Sequence, residues 1–285
     1  SYHLGLRLPQ EGGSLDIRRI DETSSLISST VPPWLCNADG RVCLAGAMAL
    51  VDEVSTYGAI VPWDKQWRPG ATVQLSAQAC RPLDVGGGEQ LVFETHRIKM
   101  GKTLAYVDTQ IFDSKGSLLA SARHVKFQPM QIPLWGVAMS PLLKPFSFRA
   151  MDLYLDKLKP HAFKEPTSDE IFAIEGWKHA DGVSEGEVSV TSAHANPIGA
   201  MHGGAQVMMA KKIAARGVES TGLQANLPIK MIRADLLAAI TTGKGQTATV
   251  NLRSRLSADG VQSNVVAQRG GVRAMDCSIW WDAKL

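Results

Sequence analysis

Two short stretches of this 285-residue chain carry residue types that do chemistry in combination. The first, Asn196-Pro197-Ile198-Gly199-Ala200-Met201-His202-Gly203-Gly204, is a loop whose glycine pair leads into a run of helical periodicity. A helix start presents N–H groups without intrahelical acceptors and a partial positive charge, so the Gly203 amide suits the oxyanion that develops on an attacked carbonyl. Glycine also lets that carbonyl come close. The second stretch is Asp52-Glu53-Val54-Ser55-Thr56. At 100° per residue Asp52 falls beside Ala45, Met48, Thr56 and Ala59, a small and largely apolar flank, so its burial is expected. A buried carboxylate can attack a carbonyl or deprotonate water, and the sequence does not choose. Thr56, at i+4 on the same face, could orient the water or the carboxylate. Each feature has a plainer reading: a turn or packing contact at Gly203-Gly204, a solvated face at Asp52-Glu53, a side-chain-initiated turn at Asn196.

Both stretches belong to similar successions of elements. Sliding the chain on itself by 159 residues superposes Asn37 on Asn196, Gly40 on Gly199, Gly58 on Gly217, Pro69 on Pro228, Gly86 on Gly245 and Gly101 on Gly260. We read this as duplication. Helices are predicted over Ala45–Ala59 and Gly203–Gly217; in the first, Leu44, Ala47, Met48, Val51, Val54 and Gly58 make one apolar or small face. Downstream the period becomes two: Val73, Leu75, Ala77 and Ala79 alternate with Gln74, Ser76 and Gln78, a half-buried strand. Further strands are predicted at 91–98, 104–112 and 118–127, then at 248–256, 261–268 and 273–281, joined by hairpin-like turns. Between the halves, Pro129 to Pro166 holds 6 of the 14 prolines and reads as a connector with one helix near Phe148–Leu158. The expected fold class is α+β, two tandem repeats with a central helix wrapped by an antiparallel sheet.

With Asn196, His202-Gly203-Gly204 and a following helix in place, the chain resembles the hot-dog-fold acyl-CoA thioesterases of the phenylacetyl-CoA and 4-hydroxybenzoyl-CoA type, over about 240 residues of the two halves. The resemblance implies a double hot-dog, an intrachain pseudo-dimer of domain 1–128, connector 129–165 and domain 166–285. It also implies a composite site, with glycine and amide from one unit and an acid, nine positions after the histidine, from the other. The second half has Asn196, His202, Gly203 and Gly204 but Lys211 at the acid position and Ala215 one turn on. The first has Asn37, then Cys43, Leu44 and Ala45 in place of His-Gly-Gly, but carries Asp52 and Thr56. One working and one dead site per chain is therefore expected. Asp52, Gly203, Thr56 and Asn196 are the candidate catalytic residues, and His202 and Gly204 shape the substrate-binding loop. Coenzyme A leaves as a thiolate without a strong general acid, because its thiol has a reference pKa near 8.5.

Composition narrows the field. A hydrophobic fraction of 45% supports a sizeable core, and 30 Lys+Arg against 27 Asp+Glu, without basic runs, argue against nucleic acid. Four cysteines without CxxC spacing signal neither zinc nor a disulfide framework, so no metal or cofactor is expected. No apolar stretch reaches membrane length, and no basic-then-apolar segment opens the sequence; no membrane partner and a cytoplasmic location are expected. The partner expected is an acyl-CoA substrate, with a homodimer of double hot-dog chains as a further expectation. Two alternatives stand beside hydrolysis. One is a non-catalytic acyl-CoA-binding protein. The other is a hot-dog enoyl-CoA hydratase, suggested by His194-Ala195-Asn196-Pro197 but lacking the acid/base dyad at the required places.

Overall fold

The computed structural model describes residues 15–19, 21–61, 64, 70–128, 171–191, 194–195, 200–223, 227–241 and 247–282. The connector, its expected helix at Phe148–Leu158, and Asn196 lie outside the described residues. Strands β1 (Leu15–Arg19) and β2 (Ser24–Thr30) precede helix α1 (Leu44–Ser55), which continues as a π-helical turn over Thr56–Ile60. Strands β3 (Ala71–Ala79), β4 (Gln90–Met100), β5 (Leu104–Asp113) and β6 (Leu118–Phe127) follow. The second series is β7 (Ile174–Ala180), β8 (Val183–Val190), helix α2 (Gly203–Glu219), β9 (Ile229–Leu236), β10 (Ala248–Leu256), β11 (Gln262–Arg269) and β12 (Val272–Trp281). The helix starts and the six meander strands lie within a few residues of the periodicity-based expectations.

The strands form one antiparallel sheet in the order β1-β2-β4-β5-β6-β3-β9-β12-β11-β10-β8-β7. Read outward from the β3–β9 seam, the two arms have the same order. Leu75 stands opposite Ala234 across the seam, and these residues are 159 positions apart. Leu44 and Gly203, which open the two helices, are separated by the same interval. The sequence offset and the geometry of the sheet therefore agree at residues that have no side-chain identity in common.

The sheet wraps α1 and α2, which pack on each other. Every residue of α1 is buried, including Asp52 and Glu53, rather than one apolar stripe as its periodicity suggests. The difference arises because sheet covers one side of α1 and α2 the other. A Cβ on Gly204 would lie 2.5 Å from Ala49 Cα, so the helix crossing depends on a glycine there. One continuous apolar cluster runs through both helices and both arms of the sheet, so each half completes the core of the other. Among the described residues, no helix is long and apolar enough to cross a membrane.

Candidate active site

The α1–α2 crossing brings the residues singled out in the two halves into contact. Asp52 is 1% exposed, and its Oδ2 accepts from the Gly204 N–H at 3.0 Å. Gly203, at the first turn of α2, has no room for a side chain: a Cβ would sit 2.7 Å from Asp52 Oδ2 and 3.0 Å from the Thr72 methyl. An acid of the first half thus lies against the amide end of a helix in the second. Gly204 packs on Ala49 and fixes the acid through its amide.

His202 caps α2. Its Nδ1 lies 3.2 Å from the Gly204 nitrogen and 3.1 Å from Asp52 Oδ2, and its Nε2 lies 2.9 Å from Glu53 Oε1, so the ring bridges two buried carboxylates. Glu53, 2% exposed, is consequently a buried partner of the capping histidine, and the solvated-face reading of Asp52-Glu53 does not hold. Thr56 also departs from expectation. Its hydroxyl donates to the Asp52 backbone carbonyl one turn back, the usual arrangement of a helical threonine, and is turned away from the carboxylate.

The hydroxyl that does reach the acid belongs to Thr72 on β3, whose Oγ1 donates to Asp52 Oδ1 at 2.8 Å. Strict alternation would put Thr72 on the outer side with Gln74 and Ser76. The β3–β6 register shifts between Thr72 and Gln74, however, and the bulge at Val73 turns Thr72 to the inner face opposite Lys126. His124 and Lys126 on β6 complete the surround: His124 Nε2 lies 3.3 Å and Lys126 Nζ 3.8 Å from Asp52 Oδ1. Both continue the inner face of Ala120 and Ala122, so two polar residues on an otherwise small, apolar strand face were the available sequence signal.

The protonation states follow from this arrangement. Ser55 Oγ spends its one hydrogen on Val51 O at 2.6 Å, so the 2.6 Å contact with His124 has Nδ1–H as donor. Burial pushes the fully enclosed His124 down to about 3, leaving a neutral ring with a bare Nε2 that faces Thr72 Oγ1 at 3.1 Å. Burial also lowers Lys126. For Asp52, burial acts upward but is outweighed by His202, Lys126 and the Thr72 hydrogen bond, which hold the carboxyl below the usual carboxylate range. It is an ionised carboxylate in a buried, hydrogen-bonded setting. Among the described residues, no group of three or more His, Cys, Asp or Glu is arranged to hold a metal ion.

His194, in the hydratase-like segment, is a structural cross-link. Its Nδ1 accepts from Thr191 N at 3.0 Å, and its Nε2 donates to the Ile171 carbonyl.

No family model matches the chain. Mouse acyl-coenzyme A thioesterase 13 is 32% identical over 118 residues, which cover 38% of this chain and 81% of that protein. Among solved structures, an acyl-ACP thioesterase from Bacteroides thetaiotaomicron superposes over 92% of this chain and 100% of its own, with a TM-score of 0.57 at 9% identity. A 12:0-ACP thioesterase from Umbellularia californica covers 93% and 99%, again with a TM-score of 0.57 at 9% identity. At such identities the likeness to the two solved structures is one of fold.

Proposed function

The chain belongs to the acyl-coenzyme A thioesterase family and is a thioester hydrolase of hot-dog fold; from that premise we propose that it hydrolyses an acyl-CoA to the free acid and coenzyme A at one composite site between two hot-dog halves. The halves are residues 1–128 and 166–285, joined by 129–165, and descend from an internal duplication. The observation that carries the reading is the 3.0 Å hydrogen bond from the Gly204 amide of one half to the Asp52 carboxylate of the other.

The thioester carbonyl is drawn to the Gly203 N–H, which has no acceptor within its helix. Asp52 takes a proton from water while the water oxygen bonds to the carbonyl carbon. The C–S bond then breaks, and coenzyme A departs as a thiolate that takes the proton from Asp52 and restores the carboxylate. We assign Asp52 the role of base rather than nucleophile because Thr72 holds one of its oxygens and Gly204 the other, which opposes the swing needed for a covalent acyl bond. Thr72 orients the attacking water together with the acid. His202 and Glu53 fix the loop, and Thr56 supports the helix that carries Asp52. Asn196 is kept as the upstream amide. Under the offset of 159, its counterpart Asn37 accepts from Lys211, the counterpart of Asp52, at 2.7 Å.

The test is thiol release from a panel of acyl-CoAs. Asp52→Asn is expected to lose on the order of 10² to 10⁴ in rate, the range for a catalytic acid or base, whereas Lys211→Ala changes it less than about threefold. Equal rates for parent and Asp52→Asn would remove the mechanism.

A further inference from the structure

The reaction leaves unused a second crevice, which the 159-residue offset relates to the first. It is a cavity of about 670 Å³ in which Asn37, Leu44 and Lys211 stand where Asn196, Gly203 and Asp52 stand in sequence for the other. That volume is in the range of small-molecule pockets. Its walls are apolar at Leu44, Ala79, Leu83, Leu227 and Ile229, and the start of α1 opens into it at Cys43 and Leu44.

Charge distinguishes this cavity. Lys211 is half-buried on α2 and gives one hydrogen to Asn37 Oδ1 at 2.7 Å, a neutral acceptor. Among the described residues no carboxylate pairs with it. The acids that line the cavity are otherwise occupied: Asp84 pairs with Arg41, Asp39 accepts from the Arg41 amide, and Asp282 has other contacts. Arg81 and Lys230 stand exposed at the rim. An ammonium group partly withdrawn from water, without an anion, beside a helix start and above an apolar trough, is complementary to an anionic head with an apolar tail.

Resting on the reading of the Asp52 crevice as the hydrolytic one, we propose that the Lys211 crevice binds a free carboxylic acid with an apolar chain, the chemical class of the reaction's product. The carboxylate pairs with Lys211, and the chain lies along Leu83, Leu227 and Ile229. A thioester head is uncharged, so it offers Lys211 no anion at the head of the apolar chain. At the Asp52 crevice the same carboxylate would meet an ionised acid, so product leaves one crevice and is retained in the other.

Calorimetric titration of the full chain with dodecanoate, below its micelle concentration, tests this. The expected result is one site per chain, at least tenfold weaker in Lys211→Met and within about threefold of the parent in Lys211→Arg, with melting curves confirming that each variant is folded. Dodecanol should bind the parent at least tenfold more weakly than dodecanoate, a comparison that needs no variant. Equal dodecanoate binding by parent and Lys211→Met, or by acid and alcohol, would overturn the assignment. So would a Lys211-dependent site that takes dodecanoyl-CoA but not dodecanoate. A parent that binds dodecanoate but releases no thiol from any acyl-CoA keeps this site and removes the Asp52 reading; a parent that turns over and binds no dodecanoate does the reverse.

Discussion

The two helix entrances at the α1–α2 contact occupy matching places in the order of elements and differ in nearly every polar side chain. Around Asp52 are His202, Thr72, His124 and Ser55, linked by hydrogen bonds. At the positions 159 residues away stand Lys211, Cys43 in sequence, Met231 and Ala214. His124 faces Leu75 in its ladder and Cys277 faces Ala234, the seam partner of Leu75, so Cys277 holds the matching place. One keeps a carboxylate whose oxygens are both held; the other keeps a cation and apolar walls. On the proposed reading a site draws on both halves, so loss of the acid in one half and of the glycine entrance in the other leaves one complete set rather than two incomplete ones.

Making the working entrance like its counterpart should have the largest effect. Gly203→Leu copies Leu44 onto α2 and retains the backbone amide, but its Cβ would fall 2.7 Å from Asp52 Oδ2 and 3.1 Å from Thr72 Cβ. The carboxylate must move and the carbonyl site fills. We expect kcat/KM for acyl-CoA to fall by about 10³ or more, from loss of both base placement and oxyanion contact. Steady-state thiol release on a variant with a parental circular dichroism spectrum checks it; a tenfold loss or less would mean that the entrance glycine does not separate the crevices. Next comes Gly204→Ala. The added methyl meets the Ala49 backbone, which cannot yield as a flexible side chain would, so the helices must separate. A loss of about 3 kcal/mol in denaturant unfolding is expected, the upper range for overpacking. At the matching position, Ala45→Gly should cost only about 1 kcal/mol, the helix-propensity difference.

Legibility in the sequence followed the same division. The helix starts, most strands and the offset were readable because turn glycines and alternating patterns are local signals. Asp52 and Gly203 were readable because helix spacing and a glycine pair are local too. Thr72 was hidden by the bulge at Val73, which reverses the parity that alternation relies on. His124 and Lys126 needed the β6 register to be seen as neighbours of Asp52. The direction of the Thr56 hydroxyl was not legible for a different reason: sharing a helix face does not settle where a hydroxyl points when its own backbone offers a carbonyl one turn back. The complete burial of Glu53 depended on α2 covering α1, a tertiary fact without local trace.

Acid should destabilise the protein through a buried histidine beside Asp52 that the matching place lacks. His124 is neutral when folded, with its pKa near 3, and regains its ordinary value near 6.5 when unfolded. Between these values the unfolded chain binds more protons, so stability is full above about pH 6.5 and falls as the pH drops toward 3. Asp52, whose folded value lies below the usual range, adds its loss only below about pH 4. The charged and titratable neighbours of His124 are Asp52, Glu53, Lys126 and His202. The expected contribution of His124 is about 2–3 kcal/mol between pH 7 and 4.5, read from urea unfolding at each pH. His124→Asn should remove that part of the slope, with His194, also lowered by burial, supplying a remainder. Cys277 at the matching place is pushed up by burial and does not titrate in acid, so Cys277→Ser should leave the slope unaltered. An unchanged slope in His124→Asn would mean that the imidazole is charged when folded.

The smallest contrast is the single hydroxyl. Thr72 donates to Asp52 Oδ1 at 2.8 Å, whereas Met231, 159 residues on, presents no donor and has no acid to receive one. Thr72→Val keeps the shape of the side chain and removes that bond. His202, Lys126 and the Gly204 amide still hold the carboxylate ionised, so the base survives but one oxygen loses its fixed direction. A charge-assisted hydrogen bond contributes about 1.5–3 kcal/mol, of which only the share realised in the transition state reaches the rate. We therefore expect kcat to fall about tenfold with KM within about twofold, restoration in Thr72→Ser, and kcat within about threefold for Met231→Thr. Equal effects at positions 72 and 231 would show that the hydroxyl acts on packing of the seam strands, because both residues belong to the strands that meet there, β3 and β9. A tenfold loss confined to position 72 ties it to the acid on the opposing helix.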